Sequence, residues 1–330
     1  MDDLKLTVTG SSGTRDVTQL VQSFTWSGAY NQCGRTLDLG FAVSSVDKRL
    51  PAVSAELGSA LRFYRSGDLL FDGYLLTRQR ENGGNVLSPT GYDRGIYLKK
   101  NKASYKFRNM TPEAITKRVC SDFGIDLGNL AETGVSISRN FPGVSLYQII
   151  QTAYTLASAA TGKKYIQRFR GALLDVVAKE KTSSTLVLKP GSNLLTTSVT
   201  ESVEDMINRV VITDENDNKV AAREDSEAIA LYGLMQTVLK QQKGKDSGKE
   251  AKQLLEENGV SQKITVTNLG NSSLIAGSCA VLKEPVTGLY GLFWIDSDTH
   301  TWKNGIYQNK LVLNFRSLMD EAEAGSLPDA

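Results

Sequence analysis

His300 is the single histidine of a 330-residue chain. It stands among Asp296, Asp298, Thr299 and Thr301, and acid, imidazole and hydroxyl together are the ingredients of nucleophilic catalysis. That chemistry needs the imidazole held by an acid and facing a nucleophile. Nothing in the sequence marks the nucleophile. His300 also lies near the tip of a candidate hairpin, beside Trp302, where a histidine serves packing or the turn. The residues therefore predict a structural histidine and no catalytic residue.

Two further patterns invite a ligand. Asp214-Glu-Asn-Asp-Asn218 alternates acid and amide side chains like the start of a calcium loop. Such a loop needs Gly at its sixth position and Glu at its twelfth, and those positions hold Lys219 and Asp225. A hairpin turn rich in Asn and Asp is the better reading. Thr161-Gly-Lys-Lys164 resembles the end of a phosphate loop, but the leading Gly falls at Ala157 and the Ser/Thr at Lys164. Cys33, Cys120 and Cys279 are far apart and odd in number. They fit neither a disulfide framework nor a zinc site, suit a reducing compartment and read as small buried hydrophobes. No metal ligand, no cofactor-binding residue and no cofactor is expected.

Lys99, Lys100, Lys102, Lys106 and Arg108 interleave with Tyr97, Tyr105 and Phe107. With Lys163, Lys164, Arg168 and Arg170 they could form a nucleic-acid surface. Net charge is only +2, so acids elsewhere cancel the basic groups, and a solvated face between domains is the better reading. No window of about 18 apolar residues occurs, so no membrane span is expected. The acidic start, Met1-Asp-Asp-Leu-Lys5, lacks the apolar stretch of a signal peptide.

The elements that must position these residues are mostly strands. At 330 residues, two or three domains are the prior. Gly291 to Phe315 reads as two strands around Lys303-Asn304-Gly305, because Asn and Gly tolerate the positive φ of tight hairpins. Leu311, Leu313 and Phe315 point one way, Val312 and Asn314 the other. Upstream, strands are predicted around Leu4–Val8, Val17–Trp26, Thr36–Val43 and Val86–Tyr92. A hairpin from Ala60 to Arg78 turns at Ser66-Gly67-Asp68, and Asn82-Gly83-Gly84 is another turn.

Gly91 to Lys102 reads as a connection. Thr111-Pro112-Glu113 opens a helix that Gly124 ends. Ser145 to Ala160 is a second helix, with Leu146, Ile149, Ile150, Ala153, Tyr154 and Ala157 as its apolar stripe. A hairpin over Gly171 follows. Strands resume at Thr196–Val203, Asn208–Thr213 and Lys219–Arg223, then two helices near 227–232 and 248–258, then strands at Lys263–Thr267 and Ser278–Lys283. The expected division is a first β-barrel domain over 1–98, a small α+β domain over 99–190, a second β-barrel domain over 191–318 with a helical insertion at about 225–258, and an acidic, frayed tail over 319–330.

Three stretches carry a resemblance. The first is Gly91-Tyr-Asp-Arg-Gly-Ile-Tyr-Leu-Lys-Lys-Asn-Lys102 with Tyr105 to Pro112. The second is Ile207 to Lys219 with Asp225-Ser226, Ile229 and Tyr232 to Gln236. The third is Leu269-Gly-Asn271 and Ala276-Gly277 with Asp298-Thr-His-Thr-Trp302. In this order and spacing, from about Gly91 to Phe315, the chain resembles baseplate or tail hub proteins of contractile phage tails, of the late-control-D type found in PBSX-like prophages.

The resemblance implies a mainly β fold with two tube-protein-like barrels flanking the α+β domain, and a structural role without enzymatic activity. Three copies would form a ring of six barrels joining the sixfold tail tube to the threefold central spike. The implied partners are the chain itself as a homotrimer, the tail tube protein, the central spike protein, other baseplate proteins and the tape-measure protein, with no membrane. The implied place is the virion tail baseplate or a tail-like particle such as a bacteriocin, assembled in the bacterial cytoplasm. Two other classes remain open: a cell-wall glycan hydrolase with acid pairs in the α+β segment, and a nucleic-acid-binding β-barrel protein.

Overall fold

A computed structural model describes residues 4–42, 55–80, 86–181, 186–242 and 246–328. Seven strands come first: β1 (Leu4–Gly10), β2 (Gly13–Asp16), β3 (Val21–Ala29), β4 (Thr36–Ala42), β5 (Ala60–Arg65), β6 (Asp68–Arg80) and β7 (Val86–Asp93). Their burial follows the two-residue period of a sheet covered on one face: Phe24, Trp26 and Gly28 on β3, and Leu37, Leu39 and Phe41 on β4. Ser66 and Gly67 make the β5–β6 turn with positive φ. The strand expected from Val17 to Trp26 is broken at its start. The Asp16 carboxylate accepts from both the backbone N–H and the hydroxyl of Thr18, a turn of 3₁₀ helix occupies Thr18–Leu20, and β3 begins at Val21. The expected turn at Asn82-Gly83-Gly84 lies outside the described residues.

A helical segment follows: α1 (Gly95–Lys100), β8 (Lys102–Met110), α2 (Pro112–Asp122), β9 (Leu127–Leu130), β10 (Ile137–Ser145), α3 (Leu146–Thr161), β11 (Tyr165–Arg170) and β12 (Leu173–Ala178). The stretch from Gly91 to Lys102 is thus a strand end and a helix rather than a connection. The Asp93 carboxylate holds the junction, accepting from the Gly95 N–H at 2.8 Å. The Thr111 hydroxyl caps α2, with Pro112 at the first helical position. Ser145 and Gln148 form a reciprocal capping box on α3, which ends on Gly162 at φ 74°. Ile115 and Val119 of α2 meet Ile149, Ile150 and Tyr154 of α3 in one core. Each such side chain contributes roughly 1.5–3 kcal/mol on burial.

The remaining elements are β13 (Val187–Leu188), β14 (Leu194–Ser202), β15 (Arg209–Thr213), β16 (Lys219–Glu224), α4 (Ser226–Tyr232), β17 (Gln236–Lys240), α5 (Ser247–Glu257), β18 (Ser261–Leu269), β19 (Cys279–Glu284), β20 (Leu289–Lys303) and β21 (Ile306–Asn314). Asn304 and Gly305, at φ 53° and 74°, turn β20 into β21 as their residue types require.

The chain divides into two units. One spans residues 1–197 and 265–330, the other 198–264. A 13-stranded sheet runs β14-β18-β21-β20-β3-β4-β7-β6-β5-β1-β2, with β19 on β20 and β13 on β19. Strands from the beginning and the end of the chain therefore meet in one sheet, at the antiparallel β3–β20 pair. In the second unit β15 is central, antiparallel to β16 and parallel to β17. Its core gathers Val210, Ile212 and Ala251 of α5. Asp225 and Asp246 cap α4 and α5, the two helices expected near 225–258, with β17 as an unexpected strand between them.

The tail is not frayed over its described length. Met319 and Ala324 belong to the core of the helical segment. The Tyr147 hydroxyl donates to Asp320, and the hydroxyls of Thr155 and Thr152 accept from the N–H groups of Ala322 and Ala324 at 3.2 and 3.0 Å. Buried Arg139 donates to the Ala324 and Gly325 carbonyls, and Asn140 and Ser326 exchange a pair of backbone bonds. Acidic composition says nothing about such backbone bonds, and they decide the order of this segment.

Candidate functional site

Asp298, His300 and Trp302 alternate on the inward face of β20. Register sets them into layers with β3 and β21. Trp302 lies opposite Phe24 and Tyr307, His300 opposite Trp26 and Asn309, and Asp298 opposite Gly28 and Leu311. Trp302 stacks on Tyr307 at 4.0 Å and on Phe24 at 4.5 Å between ring centroids. His300 is thus mid-strand in a core, not at the hairpin tip.

Gly28 leaves room for Arg35, which precedes β4. The Arg35 guanidinium lies 3.9 Å over the Trp26 ring and forks onto both carboxylate oxygens of Asp298. Asp298 also accepts the Ala276 N–H at 2.6 Å and faces His300 Nε2 at 3.0 Å. That geometry puts the imidazole proton on Nε2. Nδ1 then accepts from the Tyr307 hydroxyl and Asn309 Nδ2, each at 2.7 Å. Burial holds the His300 pKa below its ordinary value, with Asp298 opposing. Burial would raise Asp298, but Arg35 and His300 outweigh it and hold the carboxyl below its usual range. The set is an Arg⁺–Asp⁻ pair with a neutral imidazole.

An Asp–His–Tyr row of this kind could relay a proton if a substrate reached it. Here the side chains of Asp298 and His300 are 0% exposed. The network instead ties β20 and β21 to β3, to Arg35, and through Asn309 to the Asn271 N–H at 2.6 Å. Arg35 and Asn309 were not singled out from the sequence. Asn309 carried a signal, because it occupies the inward period of Tyr307, Leu311 and Leu313, where a polar residue must find buried partners.

The other candidate groups separate. The Asp214–Asn218 segment is a turn in which Asp214 Oδ1 accepts from the N–H groups of Asn216 and Asn218. Thr161-Gly162 is a helix C-terminus, the wrong end for a phosphate. Among the described residues no cluster of three or more His, Cys, Asp and Glu side chains could hold a metal ion. All three cysteines are buried and no disulfide joins them, and burial pushes the Cys33 and Cys120 thiols up to about 12. Several of the basic and aromatic residues have local partners. Lys99 sits over the Tyr147 ring, Lys164 pairs with Glu321, Arg170 pairs with Asp175, and Tyr105 donates to Asp122. Arg168 lines a cavity of about 190 Å³ with Trp26, Arg35 and Ile275.

This fold, one long sheet drawn from both ends of the chain with a helical segment between, resembles that of solved phage tail proteins. It matches the 43 kDa tail protein of prophage MuSo2 from Shewanella oneidensis with a TM-score of 0.71 and 13% identity, covering 95% of this chain and 97% of that one. Residues 24–314 match the YqbQ-like family, and the chain belongs to it. In Bacillus subtilis strain 168 it is 28% identical to the uncharacterized protein YqbQ, over 84% of each chain. It is 27% identical to the phage-like element PBSX protein XkdQ, over 86% of this chain and 89% of that one.

Proposed function

We propose that this chain is a structural protein of a phage tail or tail-like particle, placed in the baseplate hub between the sixfold tail tube and the threefold central spike. The observation that carries this is near full-length similarity to a PBSX element protein, together with a tail-protein fold over 95% of the chain. The sealed Asp298–His300 pair supports a role without catalysis. In this reading segments 1–98 and 191–318 each supply a tube-like barrel, meeting at the β3–β20 seam, and segment 99–190 lies between them. The terminal strands β2 and β14 offer open edges that a neighbouring copy can extend. A homotrimer then presents six similar surfaces to the tube, and the spike, other baseplate proteins and the tape-measure protein are the further partners.

Cryo-electron microscopy of the assembled particle tests this. The expected map has three copies whose two β-rich segments alternate around a channel at the end of the tube. Six copies in the ring, one β-rich segment per chain lining the channel, or absence of the chain from the particle would overturn it. Isolated protein is a weaker test, because ring contacts can need the tube or spike to form.

A further inference from the structure

We infer that the cavity between β3 and β11 is a binding site for a carboxylate carried on a small apolar body, with Arg168 as its cation. Residues 166–170 of β11, Arg168 among them, line this cavity together with Trp26, Leu69 and Ile275. The walls expose more apolar than polar surface, and the cavity holds about 190 Å³. Engineered cavities of roughly 150 Å³ accept benzene, so a six-membered ring with one small charged group fits.

The cations around this space differ. Arg35 is neutralised by Asp298. Arg170 donates from Nε and Nη2 to Asp175 at 3.0 and 3.3 Å, and Asp175 also accepts the Asn129 N–H. Arg168 makes no ion pair or side-chain hydrogen bond to a described residue; burial pulls its pKa below the ordinary value, and Asp175, opposite it on β12, acts against that only at a distance. Both neighbouring acids are already committed. A guanidinium kept partly desolvated and unpaired costs stability unless something of opposite charge arrives. Its planar fork fits a carboxylate at two points. Two sources share this chemistry: a free small acid, or an acidic side chain or terminal carboxylate of a neighbouring protein chain.

The test compares benzoate with neutral, isosteric benzamide on the purified full chain at constant chloride, followed by NMR shifts of the Trp26 indole and the backbone amides of residues 166–170. Benzoate is expected to saturate these shifts and to bind about tenfold or more tighter than benzamide, as a charge-assisted buried contact allows. Arg168→Met is expected to erase that preference without lowering the melting temperature of the ligand-free protein. Equal affinities for the two probes, no shift at the Trp26 indole, or an Arg168→Met variant that still prefers benzoate would overturn the site. The probe comparison on the unmodified protein stands even if the variant fails to fold. Native mass measurement separates the sources. A small acid retained through purification assigns a free ligand. A chain isolated empty that accepts benzoate assigns a neighbouring chain's carboxylate.

Discussion

Gly28 and Arg35 share one space: a Cβ at Gly28 would lie 2.6 Å from Arg35 Nη1. Absence of a side chain on β3 is therefore what lets the guanidinium lie on Trp26 and reach Asp298. Gly28→Ala is expected to push the guanidinium off its carboxylate, at about 1–3 kcal/mol. Arg35→Met leaves a buried carboxylate uncompensated and should cost about 3–5 kcal/mol. Because both act on one contact, the double variant should lose less than the sum. Urea unfolding of the three variants with unchanged m-values checks this, and full additivity would show that the two residues are not coupled.

The hairpin is held by aromatic packing more than by its histidine. Trp302 is 6% exposed and sandwiched between Phe24 and Tyr307, so Trp302→Ala should cost about 3–5 kcal/mol. His300→Gln keeps a donor for Asp298 and leaves the Arg35 pair intact, so a loss of about 1–3 kcal/mol is expected, with assembly of the particle retained. Thermal melts rank the two variants. A His300→Gln chain that folds and assembles while the particle is inactive would reveal chemistry at a site that the structure closes to solvent.

Two buried groups give opposite pH dependences. Burial raises the Asp93 carboxyl from 3.8 to about 7, against the N–H groups of Arg35 and Gly95 that favour its charged form. The folded state then binds a proton that the unfolded chain releases, so this contribution is complete below about pH 4 and is lost as pH rises through about 7. His300 is lowered below 6.5, so its contribution is present above 6.5 and is lost as pH falls toward the folded value. Asp93→Asn removes the first slope and leaves the second. The stability difference between the unmodified chain and Asp93→Asn should fall by up to about 4 kcal/mol from acid to mildly basic pH. Denaturant midpoints of both proteins across that range measure it. A constant difference would remove Asp93 as the titrating group.

Much of this was legible in the residues. The Asn304-Gly305 turn, the Thr111-Pro112 and Ser145 helix starts and the apolar stripe of α3 are local patterns, and the chain obeys them. β8 carries a period of two, with Ala103, Tyr105 and Phe107 less exposed than Lys102, Ser104, Lys106 and Arg108, but only Phe107 is fully buried and the run of basic residues masks the pattern. β10 was not legible, because Pro142-Gly143 and two shifts of register interrupt it. Pairing of β3 with β20 joins residues more than 260 positions apart, such as Ala29 and Ser297, and no single-chain pattern encodes a partner at that distance. Within the site, Asp298 and His300 stood out by type. Their partner Arg35 did not, because its role depends on a missing side chain at Gly28 and on that same long-range pairing.

The closing segment of the chain is a strap on the helical core, and Arg139 is its clasp. Arg139 is 8% exposed, and its donors go to the Ala324 and Gly325 carbonyls. Arg139→Met keeps most of the apolar stem and removes both bonds, leaving two carbonyls to find water. Each lost charge-assisted bond contributes roughly 1.5–3 kcal/mol. The loss should appear first as opening of the strap rather than global unfolding, because α3 retains its own packing against Ile115 and Val119. Hydrogen exchange followed by mass spectrometry should therefore quicken across residues 319–326 and at Asn140, while α2 and the buried side of α3 stay protected. Uniform acceleration through the whole helical segment would mean that the strap and the core unfold as one unit.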